Sequence, residues 1–146
     1  MSKCIKILFI YPNGVLQNPP PISVAIFYAL LKDKNVEIKL FDISLYDLHE
    51  KSYDKKQENR LQVRPFVLDD KLIGKIKRTD PYKDLQEIVY DFCPDLIAMS
   101  CNEVSYSTGL SFLESIENHN GLTIVGGPFS IFAPEEVLKN DCVDMV

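Results

Sequence analysis

The residues best able to do chemistry in this 146-residue chain are two histidines and four cysteines, and their spacing argues against most of it. Cys4, Cys93, Cys101 and Cys142 form no CxxC pair, no metal-ligand spacing and no iron–sulfur cluster motif. Reduced thiols in a cytoplasmic protein are the simplest expectation. His119 follows a helix-like segment, where a partial positive charge suits the helix end. His49 lies in a polar stretch and is a weaker candidate for a ligand or acid–base role. No nucleophile stands beside a base, so no catalytic set can be named within this chain.

Binding residues are easier to find than catalytic ones. Three segments that follow apolar runs are rich in glycine, proline, serine and asparagine and poor in charge. The first is the loop Pro12–Pro21, with Pro12, Asn13 and Gly14 at its start. The second is Ser100–Ser107, with Ser100, Cys101, Asn102, Glu103 and Ser105. The third is Gly126–Ser130, with Gly126, Gly127 and Pro128. Glycine lets a ligand approach the backbone, and serine and asparagine offer neutral hydrogen bonds. That chemistry suits a large, weakly charged ligand better than a nucleotide phosphate. Each feature also has a plain structural explanation: the glycine pair as a turn, Ser100 as a local cap, the prolines as loop stiffeners, Glu103 as a solvated acid.

The elements that must position these loops alternate between strand and helix. Ile5–Tyr11 is an apolar run broken only by Lys6, as expected of a strand buried on both faces. Ile22, Ala25, Ile26, Ala29 and Leu30 recur at helical spacing and are expected to form a buried face. Val36–Phe41 alternates apolar with charged residues, as at a sheet edge. Ser44–Thr79 is charged and aperiodic and reads as part of a polar insertion spanning residues 43–80; within it Leu61–Leu68 reads as a short strand or ordered loop. Asp80 and Pro81 then open a helix with Leu85, Ile88, Val89 and Phe92 inside, stopped by Pro94. Asp95–Ser100 and Gly121–Val125 are further strands, and Ser105–Asn118 is a helix with Leu110 and Leu113 inside. Pro134-Glu135-Glu136 starts another helix, with acids at its positive end. Val143–Val146 reads as a fifth strand cut off by the terminus, as in an excised domain. The alternation predicts one α/β domain over residues 1–146, a doubly wound parallel sheet in three layers. Ligands of such sheets sit at the carboxyl ends of the strands, where the three loops fall.

Bulk properties narrow the partners. Hydrophobic residues make up 46% and charged residues 25%, which is ordinary for a globular domain. The formal net charge of −5 disfavours a nucleic-acid partner, although Lys71–Arg78 is locally basic. The N-terminal apolar run is too short for a membrane span. Rival doubly wound folds lack their signatures. PNGVLQNPPP after the first strand is not GxGxxG, no GxxxxGK[ST] occurs, and the first loop carries no Ser or Thr before Ser23. Strands one and three end in Tyr11-Pro12 and Ser100-Cys101, without the acidic cluster of a response regulator.

The stretches KILFIYPNGVLQNPPP, PDLIAMSCNEVSYSTGLSFLESI and TIVGGPFSIFAPEEVLKNDCVDMV, with LQVRPF and KRTDPYKDL in the insertion, make the chain resemble a known family over nearly its whole length. It resembles the N-terminal cobalamin (B12)-binding domain of B12-dependent radical SAM proteins, including the magnesium-protoporphyrin monomethyl ester cyclase-like Fe-S oxidoreductases. The resemblance implies a flavodoxin-like, Rossmann-like sheet of five strands in the order 2-1-3-4-5. It implies cobalamin across the strand ends, its nucleotide tail beside Ser100, Gly126 and Gly127, and the corrin facing a following radical SAM domain. S-adenosylmethionine and a [4Fe-4S] cluster would belong to that following domain, which would also be the chain's partner. The DxHxxG loop of classical cobalamin-binding domains is absent after strand one, so the implied form is base-off cobalamin without a histidine ligand. A second reading is a degenerate domain of the same fold that no longer binds cobalamin and serves in interaction or substrate shaping. A third, an autonomous flavodoxin-like enzyme, lacks a visible catalytic set.

Overall fold

The computed structural model describes residues 3–13, 22–46, 48, 53–64 and 77–146. Strand β1 (Ile5–Tyr11) lies at the centre, where its apolar run is needed on both sides. Leu8 and Ile10 point into the larger core; Ile7 and Phe9 point to the opposite face. Strand β2 (Val36–Asp42) pairs parallel on one side of β1 and β3 (Leu96–Ser100) on the other. Strand β4 (Leu122–Gly126) pairs parallel with β3, giving four strands in the order 2-1-3-4. Glu37 and Lys39 stand exposed along β2, the edge strand that the alternating pattern indicated.

Helices cover both faces. Helix α1 (Ile22–Leu31) packs on the Ile7–Phe9 side. A short helix α2 (Tyr53–Asn59) lies within the insertion. Helices α3 (Pro81–Phe92) and α4 (Glu103–Glu114) cover the Leu8–Ile10 side, burying Leu85, Val89, Phe92, Phe112 and Leu113 there. Two short helices follow β4, α5 (Pro128–Phe132) and α6 (Pro134–Leu138). Among the described residues no helix is long and apolar enough to cross a membrane.

Local chemistry sets several boundaries. The Asp80 side chain accepts a hydrogen bond from the Tyr82 N–H at 3.0 Å, Pro81 opens α3, and Cys93 closes it in the left-handed region at φ 47° just before Pro94. Helix α4 starts two residues earlier than its apolar pattern suggests. Asn102 accepts from the Ser105 N–H at 2.9 Å, and the Ser105 hydroxyl accepts from the Asn102 N–H at 3.2 Å, a reciprocal capping box. The helix ends at Glu114 rather than Asn118. Gly109 lets α4 settle onto the sheet: a Cβ there would collide with the Met99 sulfur and stand 3.0 Å from the Pro12 Cβ.

Three expectations are corrected. The fifth strand is a single parallel bridge from Met145 to Ile124 on the outer edge of β4, so the sheet has four strands. The Asp144 carboxylate accepts from the Thr123 N–H at 2.7 Å, while the Asp144 and Met145 N–H groups both donate to the Thr123 carbonyl. The Val125 N–H in turn donates to the Met145 carbonyl at 3.0 Å, the pattern of a parallel bridge. Helix α1 seats the opposite side from the one expected: Val24 is buried and Phe27 stacks on Phe9 at 5.7 Å, while Ile22, Ala25, Ile26, Ala29 and Leu30 face outward. Every residue of ISVAIFYALL is uncharged, so no polar side marked the orientation. The insertion is not wholly polar, since Ile43 and Tyr46 belong to the core. Within Leu61–Leu68, residues 61–64 form a turn with Leu61 at φ 57°; the rest lies outside the described residues, as do residues 71–76 of the basic stretch.

The two ends of the insertion meet at Tyr46. Its backbone bridges to Lys77, the Lys77 ammonium sits 5.0 Å from its ring centre, and its hydroxyl donates to Asp84 at 2.7 Å. Hydrogen bonds from Thr79 and Tyr46 hold the Asp84 carboxyl below the usual carboxylate range, while burial drives the Tyr46 phenol upward. Replacing Tyr46→Phe should lower stability by about 1–2 kcal/mol in urea denaturation. Because the Asp84 pKa is depressed in the folded state, its contribution is present above the unfolded value near 3.9 and lost as pH falls through the folded value. The stability gap between the native chain and Asp84→Asn should therefore narrow below about pH 4.

Candidate functional site

The three loops expected to bind converge at the carboxyl edge of the sheet, as the parallel pairing of β1, β3 and β4 requires. Ser100 and Gly126 are direct partners in the β3–β4 register. Both lie on the α1 side of the sheet, two residues beyond Ala98 and Ile124. Tyr11, one step beyond the Ile10–Met99 pair, projects to the same side by alternation with Phe9.

The ends of β3 and β4 are tied together tightly. The Cys101 N–H donates to the Gly126 carbonyl at 3.0 Å, and the Phe129 N–H donates to the Cys101 carbonyl at 3.4 Å. Gly127 closes this joint at φ 100°; a Cβ there would strike the Cys101 carbonyl oxygen and lie 2.9 Å from its nitrogen. Gly126 differs. Its φ is ordinary, and the nearest atom to a built Cβ is the Met99 carbonyl oxygen at 4.0 Å. Gly127 is therefore demanded by the backbone, whereas the space at Gly126 is open among the described residues.

The remaining sequence-selected residues divide by what they touch. Pro12 is fully buried under α4. Cys101 is 3% exposed, and burial pushes its thiol up to about 11, so it remains a protonated, inert thiol near neutral pH. Asn102 and Ser105 are engaged with each other in the cap of α4, and Ser105 is buried. Glu103 is exposed in the first turn of α4, a position that suits an acid without any ligand. Asn13 is buried beside the end of β1. Pro128 is exposed at the start of α5. Gly14 and His49 lie outside the described residues. Of the selected residues, Pro128, Asn102 and Glu103 are exposed at this edge and Ser100, Gly126 and Gly127 are partly so; of these, Ser100, Gly126, Gly127 and Pro128 are uncharged and not engaged in the cap of α4.

The frame behind that group includes residues that the sequence did not single out. Tyr106 stacks on Phe129 at 4.3 Å, and its hydroxyl accepts from the Asn140 amide at 2.9 Å. The Ser130 hydroxyl donates to the Gly127 carbonyl at 3.0 Å. These contacts hold α5 against α4 and fix the direction in which Gly126-Gly127 leaves the sheet. The four-residue spacing of Asn102 and Tyr106 was the available signal, since it sets Tyr106 one turn past a helix cap. Among the described residues no three His, Cys, Asp or Glu side chains gather as a metal-ligating group.

The opposite edge carries an open crevice of about 930 Å³ that includes His119, Asp95, Lys3 and Gly121. His119 stands in a loop beyond the end of α4 and packs on Gly121, and its buried Nε2 has no hydrogen-bond partner among the described residues. Lys3 pairs with Asp95, which lowers the Asp95 carboxyl pKa.

The fold and its carboxyl edge define an α/β protein with a parallel four-stranded sheet and an uncharged polar ledge at Ser100 and Gly126. No protein-family model matches the chain, and no curated protein and no solved structure matches it.

The two glycines should separate cleanly on substitution. Gly127→Ala is expected to cost about 2 kcal/mol or more, because both its φ and the fixed Cys101 backbone resist a side chain. Gly126→Ala should stay within about 0.5 kcal/mol of the native chain. Urea denaturation of both variants checks the contrast.

Proposed function

We propose that this chain is the cobalamin-binding module of a B12-dependent radical SAM enzyme, cytoplasmic, and partnered by a following domain that holds S-adenosylmethionine and a [4Fe-4S] cluster. The observation that carries this reading is the space at Gly126 beside Ser100, which no described residue fills. A side chain would fit there, yet glycine stands there, at the strand ends where ligands of parallel α/β sheets bind. The ledge is polar and uncharged, which fits the amide-rich, weakly charged periphery of a corrinoid better than a phosphate. Ser100 would offer a hydroxyl, Gly126 and Gly127 would let the ligand lie against the backbone, and Pro128 and Asn13 would bound it. The flavodoxin-like five-stranded arrangement belongs to this proposal, and the bridge from Met145 to Ile124 supports it.

When bound, cobalamin would supply the cobalt-centred chemistry, and this chain would supply binding and orientation. The described residues at the ledge include no histidine, so the reading entails base-off cobalamin without a protein imidazole on cobalt. One observation favours the second reading, a domain of this fold that no longer binds the cofactor. Pro12, Cys101, Asn102 and Ser105 are consumed by the core and by the cap of α4, which leaves few groups for a ligand.

Titration with hydroxocobalamin followed by gel filtration tests the proposal. The colour should travel with the protein, with a base-off spectrum that His49→Ala leaves unchanged. A base-on spectrum, or loss of cobalt ligation in His49→Ala, would refute the ligation claim. Absence of co-eluting colour with the complete polypeptide would favour the degenerate domain.

A further inference from the structure

The sequence holds two Asn-Gly steps, Asn13-Gly14 and Asn120-Gly121. The asparagine amide of such a step is especially labile. Glycine has no side chain to keep its backbone nitrogen away from the side-chain carbonyl of the asparagine before it. The fold treats the two asparagines oppositely. Asn13 is 8% exposed, beside the buried Pro12 at the end of β1. Asn120 is exposed on the loop between α4 and β4, at the crevice around His119.

Glycine at position 121 is required by packing. A Cβ there would stand 2.5 Å from the Asp95 carbonyl oxygen, 2.7 Å from that of Pro94 and 2.6 Å from the His119 ring. The next residue is anchored too: the Leu122 N–H donates to the Asp95 carbonyl at 3.0 Å as β4 begins. Among the described residues, in contrast, nothing accepts the Gly121 N–H and nothing bonds the Asn120 side-chain amide. Asn118 and Asn120 are exposed and lie outside any helix or strand. Asn120 is therefore free to turn its amide carbon onto a Gly121 nitrogen that is held in place and unpaired.

We propose that Asn120 is a site of self-modification in the native protein, converting through a succinimide to aspartate and isoaspartate, while the fold preserves the Asn13 amide. The Gly121 nitrogen attacks Asn120 Cγ. An N–Cγ bond forms, the Cγ–Nδ2 bond breaks, and ammonia leaves with the proton that the Gly121 nitrogen gives up. Water then opens the ring on either side: at Cγ it leaves aspartate, at the main-chain carbonyl it leaves isoaspartate. Nothing is oxidised or reduced, and water is the co-reactant. The product adds a carboxylate to a crevice wall that already carries Asp91, Asp95 and Glu117. The isoaspartyl form also lengthens the main chain by a methylene just ahead of β4. The inference is independent of the cofactor, since it rests on the amino edge of the sheet and not on the ledge.

The test is to age the native chain and a guanidinium-unfolded sample side by side at mildly alkaline pH and map both by peptide mass spectrometry. Isoaspartate is counted by methyl labelling with a protein isoaspartate methyltransferase. The unfolded chain should convert at both asparagines. The native chain should convert at Asn120 and keep the Asn13 amide, and its methyl labelling should be lost in Asn120→Gln. A native chain that retains the Asn120 amide over the time in which the unfolded chain loses it overturns the proposal. So does native conversion of Asn13 at or above the rate of Asn120, or methyl labelling that persists undiminished in Asn120→Gln.

Discussion

A parallel sheet has to be buried on both of its faces, and most of this molecule follows from that requirement. It explains why β1 carries Ile7 and Phe9 toward one layer and Leu8 and Ile10 toward the other, with scarcely a polar residue between. It explains Gly109, which brings α4 close enough to seal Met99 and Pro12. It also accounts for the capping at both ends of α3 and at the start of α4, because helices pressed onto a sheet need defined lengths to align with it. On the α1 side α1 is the one helix among the described residues that meets the requirement, and Leu122 on β4 stays half exposed.

The ledge depends on how β3 and β4 end. Gly127, held at φ 100° against the Cys101 backbone, turns the chain sharply out of the sheet. The Phe129–Tyr106 stack and the Asn140 hydrogen bond fix where it goes next. Closure at Gly127 contrasts with Gly126, where the space in front is open among the described residues. Because Cys101 is buried, its thiol stays protonated and takes no part in the chemistry of that edge.

Much of the architecture could be read from the residues. The β1 run, the Asp80-Pro81 start of α3 and the alternating β2 edge each carry a local signal strong enough to survive in the folded chain. The seating of α1 did not, because an uncharged helix has no polar side to exclude from the core; an aromatic stack on Phe9 decided it. The fifth strand was legible as an apolar tail, and in the structure that tail makes one parallel bridge, Met145 to Ile124. At the carboxyl edge, composition singled out loop residues yet could not say which of them point inward. Pro12 and Cys101 belong to the core, and Asn102 and Ser105 to a cap. The two adjacent glycines are alike in sequence and opposite in structure, a distinction that only φ and the space around a Cβ reveal.

The central claim is that the carboxyl-edge ledge at Ser100 and Gly126 takes a corrinoid. Amide-resolved NMR of the labelled chain, titrated with hydroxocobalamin, tests it most directly. The account expects shifts concentrated at Ser100, Gly126, Gly127 and Phe129, with Asp95, His119 and Gly121 at the opposite edge undisturbed. Shifts confined to the crevice around His119, or none anywhere at saturating corrinoid, would contradict it.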